Sequence, residues 1–396
     1  MARKVIAGLI SVLLVLYFVT LVLHISARYT DYQWDFRTHR KAGEIFAAGK
    51  NPYNPQVLLA QEDASFLYTY PPITLFFYRL FARIPYKTGY HIFLIAKCIL
   101  LVGLIYLWKR EFLRQAAGPF FYLFCLLAFN AAVFRDFIAG NINLVEQVML
   151  WLAFFFFLRR NLTWFCVLCL AAASFKMIPV FFLILLVFSD DNKKYIYFLA
   201  SAGAFLAYLL AQFVIAPELF SGFMRNAWIV VGERGTIVPS TFTLLSDIFK
   251  WLSKSAGLMV PQALQFSIFL LFAAAVVFGS YKALMRLNRS NPEDKELILV
   301  FLVCLVYALI HPRFKDYAHM LLLPPAFYII KNTRFPPAAP FIFFLSILVY
   351  PPFIVPGTEI IFSFFWKYYP LMVVYTIWGM YLYEIFSLGK NQTARG

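Results

Sequence analysis

Apolar residues run in long blocks along this chain, and polar residues are confined to short intervals between them. Blocks of roughly 14 to 25 residues lie near 5–25, 89–108, 118–134, 142–158, 162–188, 195–216, 262–284, 297–310, 317–330, 337–355 and 363–386. A hydrocarbon layer about 30 Å thick is crossed by about 20 residues of helix, so these blocks predict membrane spans. Arg3 and Lys4 precede the first block, Val5 to about Ile25. It exceeds the apolar region of a cleaved signal peptide and reads as a retained first helix. The block from Leu162 to Phe188 is long enough for two short helices, with Lys176 and Pro179 between them as a buried charge and a helix breaker.

Charge placement decides how that block is divided, because Lys and Arg concentrate in short cytoplasmic loops. With a hairpin at Lys176, the clusters Arg3/Lys4, Lys109/Arg110/Arg114, Arg159/Arg160, Lys193/Lys194, Lys282/Arg286/Arg289, Lys331/Arg334 and Lys390/Arg395 all share one side. A single span would distribute them over both faces. The expected architecture is therefore one all-α, polytopic membrane domain covering residues 1–396, with about 12 transmembrane helices and both termini cytoplasmic. Three intervals fall on the opposite face: 26–88, 217–261 and 311–316. Within the first, Tyr70-Pro71-Pro72 opens an apolar stretch to Pro85 that carries Arg79 and Arg83, which predicts a helix lying in the interface rather than crossing it.

Composition agrees: 62% of residues are hydrophobic and 14% charged, at a mean hydropathy of +0.75, whereas soluble domains carry about 25% charged residues. The formal net charge of +16 lies in inter-helix loops, where topology accounts for it, so no nucleic-acid partner is expected. Cys98, Cys125, Cys166, Cys169 and Cys304 all fall inside apolar blocks and predict neither disulfides nor a zinc cluster. No histidine–carboxylate spacing suggests a metal site, and no cofactor is expected. His39 and His91 read as loop and interface residues.

The chemistry-bearing residues gather in the outer intervals. Asp31 and Asp35 flank Tyr32-Gln33-Trp34 just after the first span, and would share a face if that stretch were helical. A carboxylate beside Trp34 and Phe36 at the membrane surface is partly desolvated, which suits a general base. Further along come Gly49-Lys50-Asn51-Pro52-Tyr53, then Tyr70-Pro71-Pro72, Gly140-Asn141-Ile142-Asn143-Leu144-Val145-Glu146-Gln147, and Lys176-Met177-Ile178-Pro179. The last outer interval reads His311-Pro312-Arg313-Phe314-Lys315-Asp316-Tyr317, followed by Leu322-Leu323-Pro324.

In order and spacing, these motifs resemble glycosyltransferase family 87, polyprenyl-phosphate-mannose-dependent mannosyltransferases of the GT-C superfamily with catalytic loops on the non-cytoplasmic side. The likeness covers most of residues 26–190. It implies an acceptor hydroxyl attacking the anomeric carbon of a sugar carried on a polyprenyl phosphate, with inversion. Partners so implied are that donor, a lipid or glycan acceptor and membrane lipids, and the implied location is the bacterial plasma membrane with its active site on the outer face. Asp35 matches the family's Asp-Phe position and is the candidate base, with Asp31 second; Glu146 and Asp136 come after them. Cations for the donor phosphate are Arg313, Lys315, Lys176, Arg234 and Arg225. Candidates to contact sugar or acceptor are Asn141, Asn143, Gln147, Tyr70, Tyr317, His311 and His319. Tyr317 stands about where the family often has a histidine, which leaves His311 and His319 to take that part.

Two other classes fit a polytopic chain. A transporter or flippase would show paired interrupted helices in two related halves, and only one interrupted block is present here. A non-catalytic lipid-binding descendant of such an enzyme would tolerate substitution in its first outer interval.

Overall fold

The computed structural model describes residues 2–61, 64–114, 118–231, 238–257, 260–334, 338–349 and 359–388. Their regular structure is entirely helical, with no strand among the described residues. The order is α1 Ala2–Ala27, α2 Trp34–Ala47, α3 Pro55–Leu58, α4 Ile73–Ala82, α5 Tyr86–Leu107, α6 Pro119–Ala139, α7 Asn143–Leu158, α8 Leu162–Phe175, α9 Ile184–Phe188, α10 Lys194–Ile215, α11 Pro217–Val231, α12 Thr241–Ala256, α13 Gln262–Ser290, α14 Lys295–Ile310, α15 Leu323–Asn332, α16 Ala338–Ser346 and α17 Glu359–Ser387. Short 3-10 segments cover Ile178–Leu183 and Asp316–Leu322.

Five helices among the described residues are long and apolar enough to cross a bilayer: Gly8–Ala27, Tyr86–Phe112, Pro119–Ala139, Lys194–Ile215 and Gln262–Ser290. Shorter apolar helices, such as Asn143–Leu158 and Leu162–Phe175, lie between them. The protein is an all-α polytopic membrane protein. The block 162–188 does break at Lys176, whose extended backbone (φ −140°, ψ 123°) ends α8 before the Pro179 segment begins. The block 317–330 has no such break: its 3-10 segment runs directly into α15. The interval 217–261 contains two amphipathic helices, α11 and α12, so it is far more structured than a connecting loop.

The described chain forms two compact units: residues 1–114 with 134–232, and residues 115–133 with 233–396. In the first, α2 lies against α4, the helix that the Tyr70–Pro85 stretch predicts. Gly43 makes this approach possible, since a Cβ there would stand 2.6 Å from the Tyr78 carbonyl carbon. Arg40 fastens the pair by donating to the Phe81 and Ile84 carbonyls at 3.1 and 2.9 Å, while also pairing with Glu44. α7 packs on α8, and α5 on α7.

In the second unit, α14 is apolar on all sides and buried from Leu299 to Leu309, as a helix surrounded by others must be. It packs against α13, α15 and α17. Asp247 of α12 accepts from Lys367 and Tyr368 of α17 at 2.6 and 2.7 Å.

Candidate functional site

The first unit gathers three of the sequence motifs around Asp35. The chain leaving α1 makes one turn in which Asp31 is exposed, beside the Thr30 hydroxyl at 3.1 Å. Gln33 then takes a left-handed conformation (φ 57°), and α2 starts at Trp34. Asp31 and Asp35 therefore share no helix face, because the reversal at Gln33 separates them. Asp35 is only 4% exposed, in the first turn of α2, where a carboxylate also suits the helix dipole.

Gln33 is tied down by its backbone N–H, which donates to the Ile138 carbonyl at 2.6 Å, and by Gly140, which packs directly on its side chain. Gly140 has φ +67°, and a Cβ added there would stand 2.6 Å from that of Gln33. The tight turn delivers the next residue, Asn141, whose Nδ2 donates to Asp35 Oδ2 and to the Tyr70 hydroxyl, the latter at 2.9 Å. Gly140→Ala is expected to lower the thermal midpoint through a left-handed backbone cost of about 1–2 kcal/mol plus overpacking of about 1–3 kcal/mol, and to lower activity with it. Thermal unfolding in detergent measures the first effect.

Asn141 has further ties. Its Oδ1 accepts the Asn143 N–H at 2.9 Å, and its carbonyl accepts from Lys97 Nζ at 3.0 Å. Lys97 is 1% exposed and forms a 2.6 Å ion pair with Asp136, whose backbone carbonyl it also engages at 2.6 Å. Asn143 lies 3.5 Å from Lys176 Nζ, which pairs with Glu146 at 2.6 Å. Glu146 is 5% exposed at its side chain and Lys176 is 23%, so the cation sits at the more open end of this polar chain. Gln147, 2% exposed, follows on α7.

Aromatic groups wall the other side. Tyr53 donates to the Tyr70 carbonyl at 2.6 Å, and the Tyr68 hydroxyl meets that of Thr74 at 2.5 Å. Burial pushes both the Tyr53 and Tyr68 phenols up, so they stay protonated donors. His39, one turn beyond Asp35, is fully buried between Tyr68, Tyr70, Tyr78 and Phe66, with ring centroids 4.6 Å from Tyr70. It is a core residue of the site, not the loop residue its polar neighbours suggest. α11 closes this wall: Asn226 donates to the Tyr53 and Tyr68 carbonyls at 3.0 and 3.1 Å, and exposed Arg225 reaches the Tyr53 carbonyl at 3.4 Å.

The remaining candidates belong to the second unit or lie outside the described residues. The His311 ring accepts the Arg313 backbone N–H at 2.9 Å, and Lys315 lies over the Tyr317 ring at 5.7 Å. His319 is buried, stacked on Phe129 at 5.4 Å and edged by Phe314 at 4.9 Å. Phe129 belongs to an interruption of α6, with left-handed φ at Phe129, Asn130 and Ala131. Arg234 lies outside the described residues. No metal-binding cluster occurs among the described residues.

Lys97 and Asn226 hydrogen-bond to members of this cluster and are not singled out by the sequence patterns. For Lys97 a signal exists, a lone lysine inside an apolar block, where a charge persists only if it is paired. Asn226 lies on an ordinary amphipathic helix and gives none.

Fold and site together define a multi-spanning helical protein with a buried carboxylate–amide–phenol cluster at the end of its first span. The model of glycosyltransferase family 87 matches residues 68–312, well over half of the chain. This chain belongs to that family and is a membrane glycosyltransferase. No curated protein and no solved structure gives a significant match.

Proposed function

We propose that this glycosyltransferase moves a hexose, mannose in the first instance, from a polyprenyl-phosphate sugar to a lipid or glycan hydroxyl at the non-cytoplasmic face of the plasma membrane, with inversion. The observation that carries this reading is the hydrogen bonding of Asp35 to Asn141 and of Asn141 to Tyr70. It links the carboxylate after the first span to two family-like motifs far apart in sequence.

In the proposed step the acceptor oxygen attacks the anomeric carbon, its proton passes to Asp35, and the bond from that carbon to the phosphate oxygen breaks. Polyprenyl phosphate departs with the electron pair. The Asn141 amide N–H donates to one carboxylate oxygen and is far too weak an acid to protonate it, so it orients Asp35 in the ionised form a general base needs. Asp31, exposed, remains the second candidate. Lys176, Arg225, Arg313 and Lys315 are proposed to meet the donor phosphate, the first with Glu146 as its resting partner. Arg234 keeps the same assignment on sequence grounds alone.

Sugar hydroxyls would be held by Asn143, Gln147, Tyr70, Tyr317, His311 and His319. Gln147 Oε1 and both amide atoms of Gln33 are buried without a hydrogen-bond partner among the described residues, and buried amides in that state suit a polyhydroxylated ligand. The purified protein in bilayers is expected to transfer labelled hexose from a polyprenyl-phosphate sugar to a lipid or glycan extract, and to ignore a nucleotide sugar. Transfer from the nucleotide sugar alone would exclude the lipid-linked donor.

A further inference from the structure

The last turns of α13 carry Lys282, Arg286 and Arg289 at positions i, i+4 and i+7, which puts all three on one helix face. They border a cleft of ≈ 440 Å³ together with Tyr281, Met285 and Phe386 of α17. Just before it the two helices are locked together: Trp378 Nε1 donates to Ser280 at 2.9 Å, and a Cβ on Gly279 would stand 3.3 Å from the Trp378 ring. Along the cleft Ala283, Leu284 and Leu287 are buried while the lining residues Tyr281, Met285 and Phe386 are exposed.

None of the three cations has a carboxylate within ion-pair distance among the described residues. The α17 carboxylate nearest in sequence to Phe386, Glu384, is engaged by Thr333 and Arg334. Lys282 has its ammonium over the Phe278 ring at 5.3 Å. A preference for cations at one membrane face accounts for their presence at a helix end. It does not account for three on one face, bordering a cleft with an exposed aromatic and thioether floor.

We propose that this cleft binds the phosphate headgroup of an anionic membrane phospholipid. Arg286 and Arg289 supply forked contacts to phosphate oxygens and Lys282 a third charge. The acyl chains would follow the exposed apolar residues that continue from the cleft along both helices: Phe278, Val277 and Leu271 on α13, and Tyr383 on α17. Exposed apolar residues beside the three cations are a feature a soluble anion would not need. The proposal is independent of the transfer reaction, and lies on helices that contribute none of its proposed residues.

The test is thermal unfolding of the full chain in neutral detergent, titrated with phosphatidylglycerol, phosphatidylcholine or inorganic phosphate. Phosphatidylglycerol is expected to raise the midpoint, and the other two are not. Replacing Lys282, Arg286 and Arg289 together by Gln should weaken the phosphatidylglycerol response about a hundredfold, about fivefold for each charge. Should the triple variant fail to fold, Arg286→Gln alone carries the fivefold test. Equal stabilisation by inorganic phosphate would make this a free-anion site, and equal stabilisation by phosphatidylcholine would make charge irrelevant. Either result, or a response unchanged in the variants, overturns the proposal.

Discussion

Asp35→Asn is expected to lower sugar transfer about 10²–10⁴-fold, the contribution usual for a positioned general base, while the protein still folds. Asn has the shape of Asp, and its carbonyl oxygen can still accept from Asn141 Nδ2, so the hydrogen bonding that joins α2 to the turn at Gly140 survives. What is lost is the ability to take the acceptor proton. Initial rates at saturating donor should fall, while the thermal shift produced by the polyprenyl-phosphate sugar is retained. Asp31→Asn is the control: Asp31 is exposed on the far side of the Gln33 reversal, and its loss should leave the rate close to that of the unsubstituted protein. A normal rate with Asp35→Asn and a collapse with Asp31→Asn would exchange the two roles.

Lys97→Met is expected to cost about 3–5 kcal/mol of stability, because it leaves the fully buried Asp136 carboxylate without its cation. It also strips a donor from the Asn141 carbonyl. Lys97→Met combined with Asp136→Leu should recover much of the stability, since a buried ion pair replaced whole by apolar groups of similar volume is often near neutral. Activity should recover less. Lys97 is a positioning residue for Asn141, and through it for Asp35, and the double variant restores packing without restoring that hydrogen bond. Thermal midpoints and transfer rates on the single and double variants separate the two contributions. Full recovery of rate in the double variant would reduce Lys97 to a purely structural group.

Much of the site is legible in the amino-acid sequence because its residues lie in short polar motifs whose order and spacing stand out against the apolar blocks around them. Asp35, Asn141, Tyr70 and Lys176 are all visible in this way, and three of them meet within one unit. Gln33, His39 and Asn226 are not. Gln33 sits between Asp31 and Asp35 with nothing in its neighbours to mark a reversal, yet its backbone turns left-handed, pinned by Ile138 and Gly140 from more than 100 positions away. His39 lies among charged residues on α2, and its burial arises from tyrosines 29 to 39 positions further on.

By itself, the sequence determined that this chain lives in a membrane, that it is helical, and where the long apolar helices begin. Those properties follow from block length and hydropathy, which are local sums over neighbouring residues. Only the tertiary structure decided which of two carboxylates is buried, which carboxylates pair with Lys97 and Lys176 inside the first unit, and that the 217–261 interval folds into two helices, one of which braces the aromatic wall. Each of these depends on contacts between residues distant in the chain, and a buried polar group is stable only when such distant partners arrive to satisfy it.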